Sequence, residues 1–448
     1  RDRFSYEALN GPERLTKPML KQGGVWKEVD WQAALEYVAN GLKQIKADHS
    51  AASIGLLASP HSTVEELYLA GALVRGLGSD NIDYRMRNAE FPAIEGVRYL
   101  GTPIASLSTL QRVLVVGSNL RKDHPLFAQR IRQAVRKGGV LAAINSVAYD
   151  WAMPVAHSVI VPAAQWAQAL ADVAAAIALD KGVTAPAAGN ATDAAKAIAK
   201  LLLGGERKAV LLGNAAAHHA NASSLLALAN WIGEQTGASV GYLTEAANTI
   251  GAQLAGAVPQ KGGKNAAQML AGGLRVAILL NTEPKFDSAA RADIQADMVV
   301  TLSPFKANMD CSDVLLPIAP FTETAGTFIN AEGRVQSFHG VVKPLGDTRP
   351  AWKVLRVLGN MLGVPGFEFE SSQEVLAKVV KADTDFVPAD KLSNATKAAI
   401  RLDIAAGEPA NAAIYQLDSI VRRAPSLQLT ADAKAAPAAS PALQGVPA

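Results

Sequence analysis

The feature that most constrains this chain is a repeated pairing of a short, wholly apolar run with a Gly/Asn turn. Val113-Leu114-Val115-Val116 leads into Gly117-Ser118-Asn119, Ala209-Val210-Leu211-Leu212 into Gly213-Asn214, and Val276-Ala277-Ile278-Leu279-Leu280 into Asn281. A strand that is apolar at every position needs cover on both faces, which is the condition of a parallel sheet between helices. After the first run, Pro125 sits where a helix can begin. The helix predicted from Leu126 to Lys137 stops at Gly138-Gly139, and Val140-Leu141-Ala142-Ala143-Ile144 supplies the next strand. Strand, loop, helix and strand within about 30 residues is a βαβ unit. Ile54 to Ala58 reads as another buried strand, followed by Ser59-Pro60-His61 and a capping-box pattern, Ser62-Thr63-Val64-Glu65. Upstream, Trp31, Leu35, Val38, Leu42 and Ile45 share one helical face, with Asp30 as N-cap. Ser158 to Val161, Met298 to Leu302 and Val314 to Leu316 add further strands. The expected fold class is α/β: doubly wound, mostly parallel, with more than one sheet.

Composition narrows the function. A chain of 448 residues with 49% hydrophobic and 19% charged residues suggests two to four globular domains. Its formal charge of +3 is too small to imply a nucleic-acid partner. A single cysteine, Cys311, excludes an internal disulfide and any cluster held by four cysteines of this chain. No uncharged apolar stretch reaches the roughly 18 residues of a membrane span; the richest, Trp166 to Leu179, is interrupted by Asp172. Arg1 is not an initiator methionine, and no signal-type segment follows, so the expectation is a processed or truncated piece of a longer protein.

Local motifs carry little chemistry. Gly117-Ser118-Asn119 ends a strand where open α/β sheets bind ligands, and could face a phosphate or a pterin or be a plain tight turn. Gly262-Gly263-Lys264-Asn265 lacks both the glycine spacing and the Ser/Thr of a phosphate loop. His218 and His219 are adjacent and so point in different directions, with no carboxylate or cysteine at ligand spacing. Arg130, Arg132, Arg136 and Lys137 make a basic stretch near a helix C-terminus, either a solvated face that suits the macrodipole or a surface for an acidic partner. Glu323 and Glu332 are not a catalytic pair on spacing alone.

Longer strings do carry a resemblance. Asp313-Val314-Leu315-Leu316-Pro317, then Phe321-Thr322-Glu323, then Gly326-Thr327-Phe328-Ile329-Asn330-Ala331-Glu332-Gly333-Arg334-Val335-Gln336 resembles the signature of the molybdopterin oxidoreductase superfamily, which includes formate dehydrogenases and nitrate reductases. Arg3-Phe4 with Arg14-Leu15-Thr16-Lys17-Pro18-Met19, Trp26 to Ala34, and Val116-Gly117-Ser118-Asn119 through His124-Pro125 resemble further family strings in order. The last is similar to a pterin-facing turn, which makes Gly117, Ser118, Asn119 and His124 a vestigial pterin-type site. Asn81-Ile82-Asp83 and Arg87-Asn88-Ala89-Glu90-Phe91-Pro92 resemble the segment in which catalytic members carry a metal-ligating cysteine or selenocysteine. Here that position is Ala89, whose methyl group cannot ligate a metal, and a neighbouring histidine is replaced by Glu90. Asn145-Ser146-Val147 stands where catalytic members have Asp-Pro-Arg.

The resemblance therefore implies formate-dehydrogenase-like domains with the C-terminal β domain missing or minimal. It implies a discontinuous molybdopterin-oxidoreductase-like domain over 1–92 and 245–365, an inserted Rossmann-like domain over 93–244, and a C-terminal extension over 366–423. From 424 to 448 the Ala/Pro-rich composition reads as a disordered tail. These departures, with Ile414 to Gln428, resemble the large G-type subunit family of respiratory NADH:quinone oxidoreductase, complex I. That family implies electron transfer from NADH through iron–sulfur clusters to quinone, with 2Fe–2S and 4Fe–4S clusters in a part preceding Arg1. For this chain it implies a scaffold without cofactor, metal ligand or catalytic residue. Its partners would be other peripheral-arm subunits, at the cytoplasmic face of a bacterial inner membrane, with no nucleic acid and no membrane insertion. The alternative is a catalytic, formate-dehydrogenase-like molybdopterin enzyme.

Overall fold

The computed structural model describes residues 6–93, 95–381, 384–403 and 407–435. The strings Arg3-Phe4 and residues 436–448 lie outside the described residues. Fourteen strands are present among those described. They are β1 (Met19–Gln22), β2 (Val25–Glu28), β3 (Ile54–Ala58), β4 (Ile82–Asp83), β5 (Arg112–Val116), β6 (Val140–Asn145) and β7 (His157–Ile160). Then follow β8 (Lys208–Leu212), β9 (Ser239–Tyr242), β10 (Val276–Leu280), β11 (Met298–Ser303), β12 (Val314–Pro317), β13 (Gly326–Ile329) and β14 (Val335–Phe338).

Two sheets dominate. The larger has the order β2-β1-β12-β11-β10-β3-β4, parallel from β12 to β4 and closed at one edge by the antiparallel β1/β2 hairpin. The smaller is wholly parallel in the order β7-β6-β5-β8-β9. The chain leaves the larger sheet after β4, builds the whole smaller sheet, and returns at β10. The sheets are α/β layers because successive strand residues face opposite sides and both sides are apolar. Leu56, Ile278 and Val300 pack under helices Trp31–Asp48, Val64–Gly76 and Ala351–Met361. Their neighbours Leu57, Ala277 and Val299 pack against Met269 and Leu274 on the other face. Likewise Leu114, Ile144 and Leu212 meet Leu170, Ile198 and Ile232, whereas Val115, Ala143 and Leu211 meet Leu120 and Ile131.

Local signals mostly land where expected. Asp30 caps the Trp31 helix, accepting from the Ala33 amide at 2.7 Å. The capping box sits one residue later than the sequence pattern suggests. Thr63 is the cap and Glu66 closes the box, because Ser62 is buried and its hydroxyl accepts from Asn281 instead. Asn265 caps the short helix Ala266–Leu270 with Gln268, so the Gly262-Gly263-Lys264 string is the approach to a helix.

The expectation of a disordered tail from 424 fails over its described part. Short helices Pro425–Gln428 and Ala431–Ala435 follow Ser419–Arg422, with Ala424 and Leu427 buried against Val421. Alanine-rich composition lowered the apparent cost of disorder, but tertiary docking of a few apolar residues decides the outcome. No helix among the described residues is long and apolar enough to cross a membrane.

Candidate functional site

An open α/β sheet binds ligands where its strand order reverses, at the carboxyl ends of the strands. The smaller sheet reverses between β5 and β8, which places Gly117-Ser118-Asn119 beside Gly213-Asn214. The larger reverses between β3 and β10, which places Ser59-Pro60-His61 beside Asn281-Thr282-Glu283. The turns that leave these strand ends meet between the sheets.

At the β5/β8 reversal the four residues singled out in the sequence are close in the chain, but the backbone amides of 117–119 are already used. The Gly117 amide donates to Ile144 O, the Ser118 amide to Asn145 Oδ1 at 2.9 Å, and the Asn119 amide to Asp123 Oδ2 at 3.0 Å. Gly117 takes φ of +62°, and a Cβ on Gly213 would lie 2.4 Å from the Gly117 carbonyl oxygen. Two strand-end turns are thus packed backbone against backbone. His124 lies under this turn, with Nε2 2.9 Å from Thr244 O; burial pulls its pKa down to about 4. Burial also pushes Asp123 up to about 6, against the pull of its hydrogen bond from the Asn119 amide. Ser118 Oγ, His124 Nδ1 and Asn214 Oδ1 are buried without a hydrogen-bond partner in the protein.

Between the sheets runs a chain of charges, exposed at its Glu13 end and largely buried beyond it, that no local pattern announced. Glu13 pairs with Arg423 at 2.7 Å, Arg423 with Glu283 at 2.8 Å, and Glu283 with Arg422 at 2.9 Å. Arg422 pairs with Asp287 at 2.8 Å, Asp287 with Arg87 at 3.1 Å, and Arg87 with Glu245. Glu245 ends it on His218 Nε2 at 3.1 Å, and His218 Nδ1 faces Ala410 O at 2.8 Å. Both ring nitrogens of His218 meet oxygens. The signs alternate from Glu13 to Glu245. The cations hold Glu283 down to about 2 and Glu245 far below the carboxylate range, despite their burial. The series joins the first helical turn region, the C-terminal extension, the turns after β4 and β10, and the smaller sheet.

Ala89 sits within this seam, its amide donating to His218 O at 3.1 Å. Glu90 Oε2 accepts from the Ser223 amide at 2.7 Å and so serves the N-terminus of helix Ala222–Thr236. The remaining cavity here, lined by Arg85, Asn88, Arg98, His218, Tyr242 and Glu245, is about 150 Å³. A second cavity, about 310 Å³, lies at the β3/β10 reversal among His61, Glu66, Asn281, Phe321 and Phe328, and residues 418–421 roof it. Burial beside Glu65 pushes the Glu66 carboxyl up to about 7.

The signature strings are structural ties in this chain. Arg14 and Glu323 form a buried two-pronged pair, both contacts 2.9 Å. Glu65 accepts from the amide and hydroxyl of Thr327 at 2.9 and 2.8 Å. Asn330 Oδ1 accepts from the Glu332 and Arg334 amides, shaping the β13/β14 turn. Cys311 is half-buried, with Sγ 3.6 Å from Asn308 O, and burial raises its pKa to about 11.

A molybdopterin oxidoreductase family model matches residues 14–361. The chain belongs to the molybdopterin oxidoreductase family. Relatives of this family chain include a candidate formate dehydrogenase of Staphylococcus aureus strain MRSA252 and YjgC of Bacillus subtilis strain 168, a candidate oxidoreductase. Each is 24% identical over 85% of the chain. The chain spans about half the length of these curated relatives, 46% in each case. Among solved structures, acetylene hydratase from Pelobacter acetylenicus shares the fold, with a TM-score of 0.54 at 13% identity over 83% of this chain and 64% of that one.

A pterin dinucleotide with its metal, the group this family's name implies, does not fit the residues at the seam. Its phosphates would need free amides or cations, yet the 117–119 amides serve Ile144, Asn145 and Asp123. Arg87, Arg422 and Arg423 are each neutralised by carboxylates of this chain. The cavity of about 150 Å³ beside His218 is below the roughly 300 Å³ at which small-molecule pockets begin, and the one of about 310 Å³ at the β3/β10 reversal only reaches that size, with residues 418–421 across it. Ala89 offers no lone pair, and the described residues contain no group of three or more His, Cys, Asp or Glu side chains placed to hold a metal.

Proposed function

We propose that this chain is the scaffold half of a G-type subunit of complex I, a molybdopterin-oxidoreductase fold serving electron transfer without holding the pterin. The observation that carries this reading is the alternating charge series from Glu13 to Glu245, which fills the seam between the sheets with the chain's own ions. In such a protein the 2Fe–2S and 4Fe–4S clusters belong to a part preceding Arg1, and NADH oxidation and quinone reduction belong to the whole assembly. This chain's contribution is rigidity: Arg87, Arg422 and Arg423 lock two sheets and the C-terminal extension into one body against which other peripheral-arm subunits can pack, at the cytoplasmic face of a bacterial inner membrane. Gly117, Ser118, Asn119 and His124 are then a vestigial pterin turn closed by Asn145 and Asp123. No residue is assigned a catalytic role.

A second reading, a formate-dehydrogenase-like enzyme, is favoured by the names of the relatives. One experiment separates the two. The purified protein is assayed for molybdenum and tungsten by mass spectrometry and for pterin by fluorescence after oxidation. The scaffold reading expects substoichiometric metal and pterin; one metal per chain with oxidisable pterin overturns it in favour of the enzyme.

A further inference from the structure

The basic stretch at Arg130 to Lys137 leads to the opposite pole of the smaller sheet, away from the seam. There the amino ends of β5, β6 and β8 border a cavity of about 300 Å³ walled by three loops: residues 108–112, 134–139 and 205–207. Arg112, Lys137 and Arg207 line it, and no aspartate or glutamate does. None of the three has a carboxylate partner among the described residues.

The two guanidinium groups are held by backbone carbonyls. Arg207 Nε donates to Thr109 O and Arg112 Nη1 to Gln111 O, each at 2.8 Å. A guanidinium has five N–H donors, so most remain for another acceptor. Gln111 Oε1 accepts from the Glu206 amide at 2.7 Å, which fixes the 205–207 loop as a wall. Arg130 reaches the rim through Ser108 Oγ at 3.4 Å. Lys208, next along the chain, is pulled below its ordinary pKa first by burial and then by the Arg112 and Lys181 charges.

Helix C-termini attract cations, and that accounts for Arg136 and Lys137 at the end of helix Pro125–Arg136. It does not account for Arg112 and Arg207, which stand at strand starts. We propose that this pocket binds a small polyanion of the di- or triphosphate class, held by Arg112, Arg207 and Lys137. Arginine forks match phosphate oxygens two at a time, and three cations balance the charge of a di- or triphosphate better than that of a single phosphate group. A concave cavity of this volume suits a small ligand better than an acidic protein face, which needs a patch of roughly 800 Å² per partner.

The test is calorimetric titration of the full chain with sodium pyrophosphate at low salt, with sodium chloride of matched ionic strength as blank. The expected result is one saturable site, weakened about tenfold or more by Arg207→Ala and by Lys137→Ala, both exposed positions. Lys196→Ala, an exposed cation elsewhere on the same unit, leaves binding unchanged, and thermal melts confirm that the variants fold. No heat beyond the blank, equal affinity in all variants, or binding of poly-glutamate that pyrophosphate fails to displace overturns the proposal.

Discussion

Arg422 is the sharpest test of the charge series. Its side chain is 6% exposed and donates to Asp287 at 2.8 and 3.3 Å, Glu283 at 2.9 Å and Gln416 O at 2.9 Å, while its plane lies 5.2 Å from the Phe286 ring. Removing one partner of a buried pair costs about 3–5 kcal/mol, mostly because a charge is stranded. In Arg422→Ala, Glu283 keeps Arg423 and Asp287 keeps Arg87, so the low end, about 3 kcal/mol, is expected. The series then carries one more uncompensated negative charge than before. Asp287→Asn in the same chain removes that excess, and the double variant is expected to recover about 1–2 kcal/mol relative to additivity. Urea unfolding followed by tryptophan fluorescence measures these differences. A surface pair would be screened in 1 M salt, whereas this loss should persist there. A cost for Arg422→Ala within about 0.5 kcal/mol of zero, the range of ordinary surface changes, would refute the reasoning.

Three further outcomes follow from the same structure. Glu66 is raised to about 7, so the native state holds a proton that the unfolded state releases, and the stability it contributes falls as pH rises from about 4.5 through 7. Glu66→Gln keeps the capping box and should flatten that fall, by about 3 kcal/mol at most, in melting curves taken from pH 5 to 8. On the acid side Glu283, held near 2, and His124, held near 4, both act in the opposite sense. His124 favours the unfolded state below about 6.5, but the raised Glu66 and Asp123 offset it between about 4.5 and 6.5; Glu283 loses its stabilising charge below pH 4.5, so the net drop should appear below about pH 4. Gly213→Ala puts a methyl 2.3 Å from Ser118 Cβ and 2.4 Å from the Gly117 carbonyl oxygen, where backbone must move; a loss of about 1–3 kcal/mol should appear as a lower urea midpoint.

Much of the scaffold was legible locally. Continuous apolar runs specify buried parallel strands, and Asp30 before a 3.6-residue periodicity specifies a capped helix, because both depend on neighbours in sequence. The capping box slipped by one residue since Ser62 and Thr63 are chemically equivalent caps until Asn281, far along the chain, claims the Ser62 hydroxyl. The charge series was invisible for the same reason. Arg87 and Asp287, or Arg422 and Glu283, look like solvated surface charges until the fold brings them together. Residues 424–435 were misread because composition carries no record of the pocket that Leu427 and Val421 find. Resemblance supplied what periodicity could not, the pterin reading of the turn at Gly117 and the expectation that Ala89 stands at a ligand position. It could not reveal that Asn145 and Asp123 close that turn.

The route of the chain through the larger sheet has a kinetic consequence. β3 and β10 are partners in the sheet, yet the entire five-stranded unit lies between them in sequence. Closing so long a loop is slow, although its entropy grows only with the logarithm of its length. The inserted unit shortens the problem by folding on itself. Its entry and exit are clasped together where the Tyr242 amide donates to Tyr99 O at 2.8 Å, and Asn394 Nδ2 donates to both Tyr99 O and Val240 O. With that clasp formed, β3 and β10 are joined by a shorter tether than the chain that separates them. Weakening the insert is therefore expected to delay assembly of a sheet to which it contributes no strand.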